Sequence, residues 1–294
     1  MWEEKVVVDG PYDFDRALRR LAFDPLVTAD LKRRTLGVPL WIEGKPVVAE
    51  VKSIGSVGSP RFLVASYGEP KEAVLSRLTK IFKWDKPLGT IAEHFALTDL
   101  RPLFQLYRGN AFICEFSVYR ALMKSIVHQQ LNMRFANVLT ERFTKTYGFQ
   151  QQGVWFYPQP EKVAEIPVDE LRKLQFSQRK AEYVTDTAKM IVGGQLSLDG
   201  LRNMDDDEAL KTLVKIRGVG SWTAESVLLF GMGREDLLPA GDVGIQNAVK
   251  SLYGYVDKPK LKKLRELGEK EWSPFRSYAS LYLWESLGNH SVKE

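Results

Sequence analysis

The segment Leu210-Lys211-Thr212-Leu213-Val214-Lys215-Ile216-Arg217-Gly218-Val219-Gly220-Ser221-Trp222-Thr223-Ala224 constrains this chain more than any other. Leu210, Leu213 and Val214 recur at helical spacing and predict a helix with one apolar face. Ala224, Val227 and Leu228 repeat that spacing in a second helix starting at Ser221. Between the two stand a pair of glycines flanking one apolar residue. Glycine reaches backbone angles closed to other residues and lets a neighbouring backbone come close. Val219 can then anchor the turn in a core, leaving the unpaired N–H groups of the turn and of the next helix's first turn outside. Such a helix start is a ready phosphate site. The same residues also suit a plain tight turn between core helices, with Ser221 as N-cap.

The rest of the chain narrows the chemistry mainly by exclusion. Lys and Arg outnumber Asp and Glu by 42 to 37, a mild excess that leans towards an anionic partner. A single cysteine, Cys114, lies in the apolar run Asn110–Phe116 and reads as a small core residue. One thiol builds neither a disulfide framework nor a four-cysteine iron–sulfur site. His94, His128 and His290 are scattered, so no His/Cys metal cage is available. The cluster Asp205-Asp206-Asp207-Glu208 opens a helix, where carboxylates favour the dipole, and is read as capping rather than as a metal site. The first residues carry no signal-peptide pattern and no apolar run approaches membrane-spanning length, so a cytoplasmic protein without membrane contact is expected.

Periodicity divides the chain. Residues 1–88 read as mixed α and β: a helix over Tyr12–Leu21, then strands at Leu40–Ile42, Pro46–Val51 and Arg61–Ala65 joined by turn signals at Glu43–Lys45 and Gly55–Pro60. An antiparallel sheet with helices on one face follows. From residue 89 onward the pattern is almost entirely helical, with helices expected within 168–192 and at 206–215, 221–231, 243–253, 259–267 and 274–287. Trp155-Phe156-Tyr157-Pro158 predicts a packed loop or short hairpin. The fold class is therefore α+β, an N-terminal antiparallel sheet followed by two helical lobes. The expected units are 1–88, 115–234, and 89–114 together with 235–294.

Beyond the hairpin comes Leu238-Pro239-Ala240-Gly241-Asp242-Val243-Gly244-Ile245-Gln246, with Asp242 twenty-two residues after Gly220. Asp242 precedes a helical run and suits an N-cap. Together, the hairpin, the Pro-x-x-Asp loop and the following helix resemble the helix-hairpin-helix DNA glycosylase superfamily, whose hairpin is followed at this distance by an essential aspartate. The resemblance implies that Asp242 is the catalytic carboxylate of an enzyme that excises bases from duplex DNA. A fixed carboxylate beside the sugar stabilises the oxocarbenium-like charge that develops as the glycosidic bond breaks. The hairpin residues Arg217, Gly218, Val219, Gly220, Ser221 and Thr223 would grip the DNA backbone without reading sequence.

Within that superfamily the chain is most similar to the bacterial 3-methyladenine DNA glycosylase II family. Ser125-Ile126-Val127-His128-Gln129-Gln130-Leu131-Asn132 is similar to its Ile-x-Gly-Gln-Gln motif, with His128 in place of Gly, and Trp272–Ala279 with Leu283-Trp284 matches its last helix. The resemblance implies a base pocket of Trp222 and Trp284, with Ser226 where some relatives carry tyrosine, and a wedge at Gln130 or Leu131 that fills the gap left by a flipped nucleotide. Both tryptophans also suit a core. Relatives that cut the backbone carry a lysine where Trp222 stands, so a monofunctional hydrolase acting on alkylated bases (3-methyladenine and 7-methylguanine) is expected. A glycosylase for oxidised or deaminated bases and a non-catalytic damaged-DNA-binding protein are the alternatives. A monomer without required cofactor or iron–sulfur cluster is implied. Some relatives hold a monovalent cation on hairpin carbonyls, here those of Val214, Ile216 and Val219.

Overall fold

The computed structural model describes residues 1–68 and 70–288; His290 lies outside the described residues. The N-terminal part contains β1 (Trp2–Val7), α1 (Phe14–Leu21), β2 (Thr28–Asp30), β3 (Thr35–Ile42), β4 (Lys45–Ser53), β5 (Arg61–Ser66) and α2 (Lys71–Phe82). The five strands form one antiparallel sheet in the order β1-β5-β4-β3-β2. Glu43 and Gly44 both have positive φ (49° and 75°), the two-residue turn whose twist matches a β3–β4 hairpin pairing Ile42 with Lys45. Alternate residues of β3, Leu36, Val38, Leu40 and Ile42, point into the core. Phe62 of β5 meets Phe14 of α1 edge to face at 5.3 Å and so fastens that helix to the sheet.

The three strands expected from sequence are present, and two more flank them. Glu4 interrupts the inward-facing row of Trp2 and Val6 in β1, and β2 is only three residues long. β3 begins at Thr35 rather than Leu40, because Gly37 and Pro39 break its strand signal while pairing with β4 keeps the backbone extended.

Ten further helices precede and surround the hairpin: α3 (Leu88–Phe95), α4 (Arg101–Leu106), α5 (Val118–His128), α6 (Met133–Tyr147), α7 (Pro160–Ala164), α8 (Val168–Lys173), α9 (Gln178–Val192), α10 (Leu198–Asn203), α11 (Asp206–Leu213) and α12 (Ser221–Ser226). The last turn of α12, Val227–Gly231, is wound as a π-helix. Between α6 and α7, β6 (Phe149–Gln151) and β7 (Val154–Phe156) form a small hairpin whose Phe149 and Phe156 both meet Trp41 of β3 edge to face. The chain closes with α13 (Val243–Leu252), α14 (Leu261–Glu271) and α15 (Arg276–Gly288). Stacked rings of Phe95, Phe104 and Tyr282, with centroids 4.1 and 3.7 Å apart, tie α3 and α4 to α15 although nearly 180 residues separate them. One buried apolar cluster runs from Val8 to Leu283, so sheet and helices share a core. Asp205 caps α11 by accepting the Glu208 N–H at 2.8 Å, and Asp206 pairs with Arg234 at 3.3 Å, which accounts for the acidic run.

Candidate active site

The hairpin between α11 and α12 rests on α9. Gly218 has φ +89°, and a Cβ built there would lie 2.3 Å from the Tyr183 ring, so only glycine fits. Val219 is buried beneath the turn. Gly220, not Ser221, is the N-cap of α12, and having no side chain it caps nothing. The N–H groups of Ser221, Trp222 and Thr223 therefore have no partner among the described residues, and they form the positive end of the helix.

Two hairpin side chains expected on DNA are engaged elsewhere. The Thr223 hydroxyl is buried and accepts from Gln129 Nε2 at 2.6 Å, leaving that residue only its backbone amide to offer. Arg217 is paired with Glu182 at 2.8 Å and Asp186 at 3.5 Å and lies over Tyr183, so carboxylates of α9 already answer its charge.

Gln129 also donates to the Gly218 carbonyl at 2.8 Å, which ties the end of α5 to the hairpin. Lys180 of α9 donates to the carbonyls of Ile126 and Gln129 at 3.2 and 2.7 Å, a cation placed on the negative end of α5. Burial lowers its pKa. These anchors hold Gln130 in the left-handed region at φ +54°, exposed, with Leu131 half-buried behind it. Gln130 and Leu131 stand as a partition between two clefts of about 620 and 570 Å3, both also walled by Gly218 and Gly220.

Asp242 lies on the larger cleft with Trp222 and Gly241. It is the N-cap of α13, its Oδ1 accepting the Ile245 N–H at 3.0 Å. The same oxygen accepts Trp284 Nε1 at 2.8 Å, and Oδ2 accepts Trp222 Nε1 at a longer 3.4 Å. Three donors from three elements thus orient one half-buried carboxylate and leave Oδ2 the less committed oxygen. Capping and cleft-facing are combined in one residue, so the two readings of Asp242 made from sequence do not compete.

Trp222 is 40% exposed beside Asp242, whereas Trp284 stacks on Phe230 with centroids 5.6 Å apart. Trp284 lines a third cavity, of about 850 Å3, on the side of α1 and α5. Ser226 belongs to neither wall: it is buried, and its hydroxyl donates to the Trp222 carbonyl at 2.8 Å, one helical turn back. Sequence reading missed Glu225, whose pKa is pushed up to about 7 by burial, with Asp242 adding repulsion and Arg265 opposing. Its place one turn after Trp222 was visible in the sequence; its closeness to Asp242 is created by the hairpin. His128 is held low at about 4 by burial, and its Nε2 lies 3.0 Å from the Thr140 hydroxyl. That hydroxyl gives its proton to the Ala136 carbonyl, so neutral His128 donates through Nε2. Burial also pushes the Cys114 thiol up to about 11, which leaves it unreactive.

A hairpin with free amides, an exposed partition residue and a hydrogen-bonded carboxylate thus meet on one cleft. In comparison with known proteins, residues 123–274 match the HhH-GPD superfamily of base excision DNA repair proteins. The chain belongs to that superfamily. It is 46% identical over 288 residues to YfjP of Bacillus subtilis, a candidate DNA-3-methyladenine glycosylase, covering 98% of this chain and 100% of that one. Among solved structures, it resembles a 3-methyladenine DNA glycosylase from Archaeoglobus fulgidus (TM-score 0.84, 22% identity, 97% of each chain). It also resembles the 8-oxoguanine glycosylase/lyase of Clostridium acetobutylicum bound to double-stranded DNA (TM-score 0.77, 18% identity, 99% of each chain). At these identities the two structures speak for the fold.

Proposed function

We propose that this protein is a monofunctional DNA glycosylase that flips alkylated purines out of duplex DNA and hydrolyses their glycosidic bonds. The observation that carries the proposal is the Asp242 carboxylate, held by two indole N–H groups and a helix N-terminus beside the hairpin amides. The amides of α12 take a backbone phosphate, and Gln130, presented on its left-handed turn, enters the duplex where the nucleotide has left. Asp242 then faces the deoxyribose. As the bond to the base stretches, its negative charge stabilises the positive sugar, and Oδ2 orients the attacking water and takes its proton. A base already cationic through alkylation leaves without a strong acid. The aromatic faces of Trp222 and Trp284 favour such a cation.

Hydrolysis without strand cleavage follows from the lysines. Trp222 supplies no amine, Lys124 is held by two carboxylates that keep it protonated, and Lys180 is tied to two carbonyls. The cleft is complete within one chain, so a monomer suffices. A monovalent cation suits the turn as an aid to phosphate binding: the Val214 and Val219 carbonyls accept no hydrogen bond from described residues, although that of Ile216 already accepts the Val219 N–H at 2.9 Å.

The test is release of free bases from dimethyl sulfate-treated duplex DNA, read by mass spectrometry, for wild type and Asp242→Asn. Wild type should release 3-methyladenine or 7-methylguanine and the variant neither. If both proteins bind DNA and neither releases a base, the alkylation reading fails. Borohydride treatment should trap no covalent complex; an adduct would overturn the monofunctional reading.

A further inference from the structure

Gly244 is the second residue of α13, two positions after Asp242, and its backbone is ordinary right-handed helix. Glycine is the weakest helix former after proline, so the backbone gives no reason for one here. The reason lies in what a side chain would meet. A Cβ built on Gly244 would lie 2.9 Å from Asp242 Oδ1, 3.1 Å from Trp284 Cδ1 and 3.3 Å from Trp284 Nε1. All three separations are shorter than the about 3.5 Å at which non-bonded heavy atoms rest. These atoms belong to the two ends of one hydrogen bond, the 2.8 Å contact from Trp284 Nε1 to Asp242 Oδ1. A methyl group would press on its donor and its acceptor at once. Capping does not explain the space, because an N-cap needs only the backbone N–H of the second or third helical residue. The space is needed because an indole from α15 reaches the same oxygen.

The indole has little room to retreat. Trp284 stacks on Phe230, whose ring stacks in turn on Phe112 with centroids 5.9 Å apart. The Phe230 carbonyl accepts the Glu115 N–H at 2.8 Å. The next residue, Gly231, lies so close to α5 that a Cβ on it would stand 2.8 Å from the Ala121 methyl. Phe230 is therefore fixed, and it backs the tryptophan. The carboxylate is the looser partner, since it borders the open cleft and its Oδ2 has only the 3.4 Å contact with Trp222. A side chain at position 244 would turn Asp242 into the cleft and break its bond to Trp284.

We propose that Gly244 is a positioning residue for base excision: its missing side chain leaves the space in which Trp284 holds the Asp242 carboxylate at the angle the reaction requires. The inference rests on the reading of Asp242 as the reacting carboxylate and goes beyond it. Gly244 acts through the Trp284–Asp242 hydrogen bond and contributes no group to the chemistry. A carboxylate stabilises developing charge only where that charge appears, and a misplacement of about 1 Å can slow a reaction about 100-fold.

The experiment compares wild type with Gly244→Ala, Trp284→Phe, their double variant and Asp242→Asn, all in the full chain. In Gly244→Ala the better helix former offsets the disturbed cap, so the thermal midpoint should stay within about 4 °C of wild type. Affinity for undamaged duplex should change less than about twofold, because the phosphate-binding amides of the hairpin are untouched. Single-turnover release of 7-methylguanine from a duplex carrying one such lesion should slow about 10- to 100-fold. In the Trp284→Phe background the hydrogen bond is already gone, so the same alanine should slow release less than about threefold, whereas a general distortion of α13 would multiply the two losses. In proton–nitrogen correlation spectra the Trp284 indole signal, identified by its loss in Trp284→Phe, should move in Gly244→Ala. Release at the wild-type rate, an unmoved indole signal or multiplied losses in the double variant overturn the positioning role and leave the reading of Asp242 intact. A midpoint lowered beyond that range assigns the glycine to the fold and overturns the role as well. Asp242→Asn as active as wild type, or a wild type that releases no base, overturns both.

Discussion

Gly218→Ala and Gly220→Ala should have opposite phenotypes although the residues are two apart in one turn. At Gly218 the backbone is left-handed, φ +89°, and the new methyl would sit 2.3–2.7 Å from three carbons of the Tyr183 ring. The conformational penalty for a residue with a Cβ is about 1–2 kcal/mol. Overpacking adds about 1–3 kcal/mol, because Tyr183 is held in place by the Arg217 guanidinium above it. Alanine recovers about 0.4–1 kcal/mol by stiffening the unfolded chain. The net loss is about 2–4 kcal/mol. At Gly220, φ is −91° and a Cβ meets nothing within 4 Å, so the stability change should stay within about 1 kcal/mol, the cost of a poorer N-cap. That open space is where a phosphate must approach the α12 amides. Gly220→Ala should therefore weaken binding to undamaged duplex about tenfold, or about 1.4 kcal/mol. Urea unfolding and fluorescence anisotropy on both variants measure the two effects. A Gly218→Ala protein as stable as wild type would refute the packing argument; a Gly220→Ala protein with wild-type affinity would refute the placement of the phosphate.

Trp284→Phe keeps the stack on Phe230 but deletes the 2.8 Å hydrogen bond to Asp242, a charge-assisted contact worth about 1.5–3 kcal/mol. Single-turnover excision should slow about 10- to 100-fold, and an unchanged rate would show that the indole does not orient the carboxylate. Lys180→Met strips a cation and two hydrogen bonds from the end of α5, so we expect about 2 kcal/mol of lost stability and weaker binding to abasic duplex as Gln130 loosens; equal affinity would disconnect Lys180 from the partition. His128 titrates at about 4 rather than 6.5, so the unfolded chain binds more protons between those values and stability is lost as pH falls through them. Glu225, at about 7 rather than 4.5, has the opposite sign: the native state binds more protons, and stability is lost as pH rises through that window. Urea unfolding as a function of pH should show His128→Gln losing less stability on acidification and Glu225→Gln losing less on alkalinisation. Slopes matching wild type in both variants would contradict the burial of these groups.

Local pattern alone was enough to place several parts of this protein. Two glycines around Val219 between apolar helical faces define a turn whose conformation no other residue adopts at Gly218, so the hairpin was legible residue by residue. The spacing to Asp242, the absence of a hairpin lysine at Trp222 and the presence of a single cysteine were equally plain, because each is a property of the chain in one dimension. β1 and β2 were not, since a strand with three charged residues in a row, or only three residues long, is held by its pairing partner rather than by its own propensity.

Side-chain partnership was decided by tertiary structure. Thr223 and Arg217 read as DNA contacts until packing brought Gln129, Glu182 and Asp186 to them from α5 and α9. Ser226 faces its own helix because a hydroxyl one turn beyond a free carbonyl satisfies itself locally. Glu225 acquires its high pKa because the hairpin buries it near Asp242, and Asp24, Glu115, Arg120 and Lys124 form a ring of ion pairs only because segments about 90 residues apart in the chain meet. Sequence periodicity determines which residues are buried; the field at a buried atom is the sum over neighbours that the fold assembles, and it exists only after the chain has closed on itself.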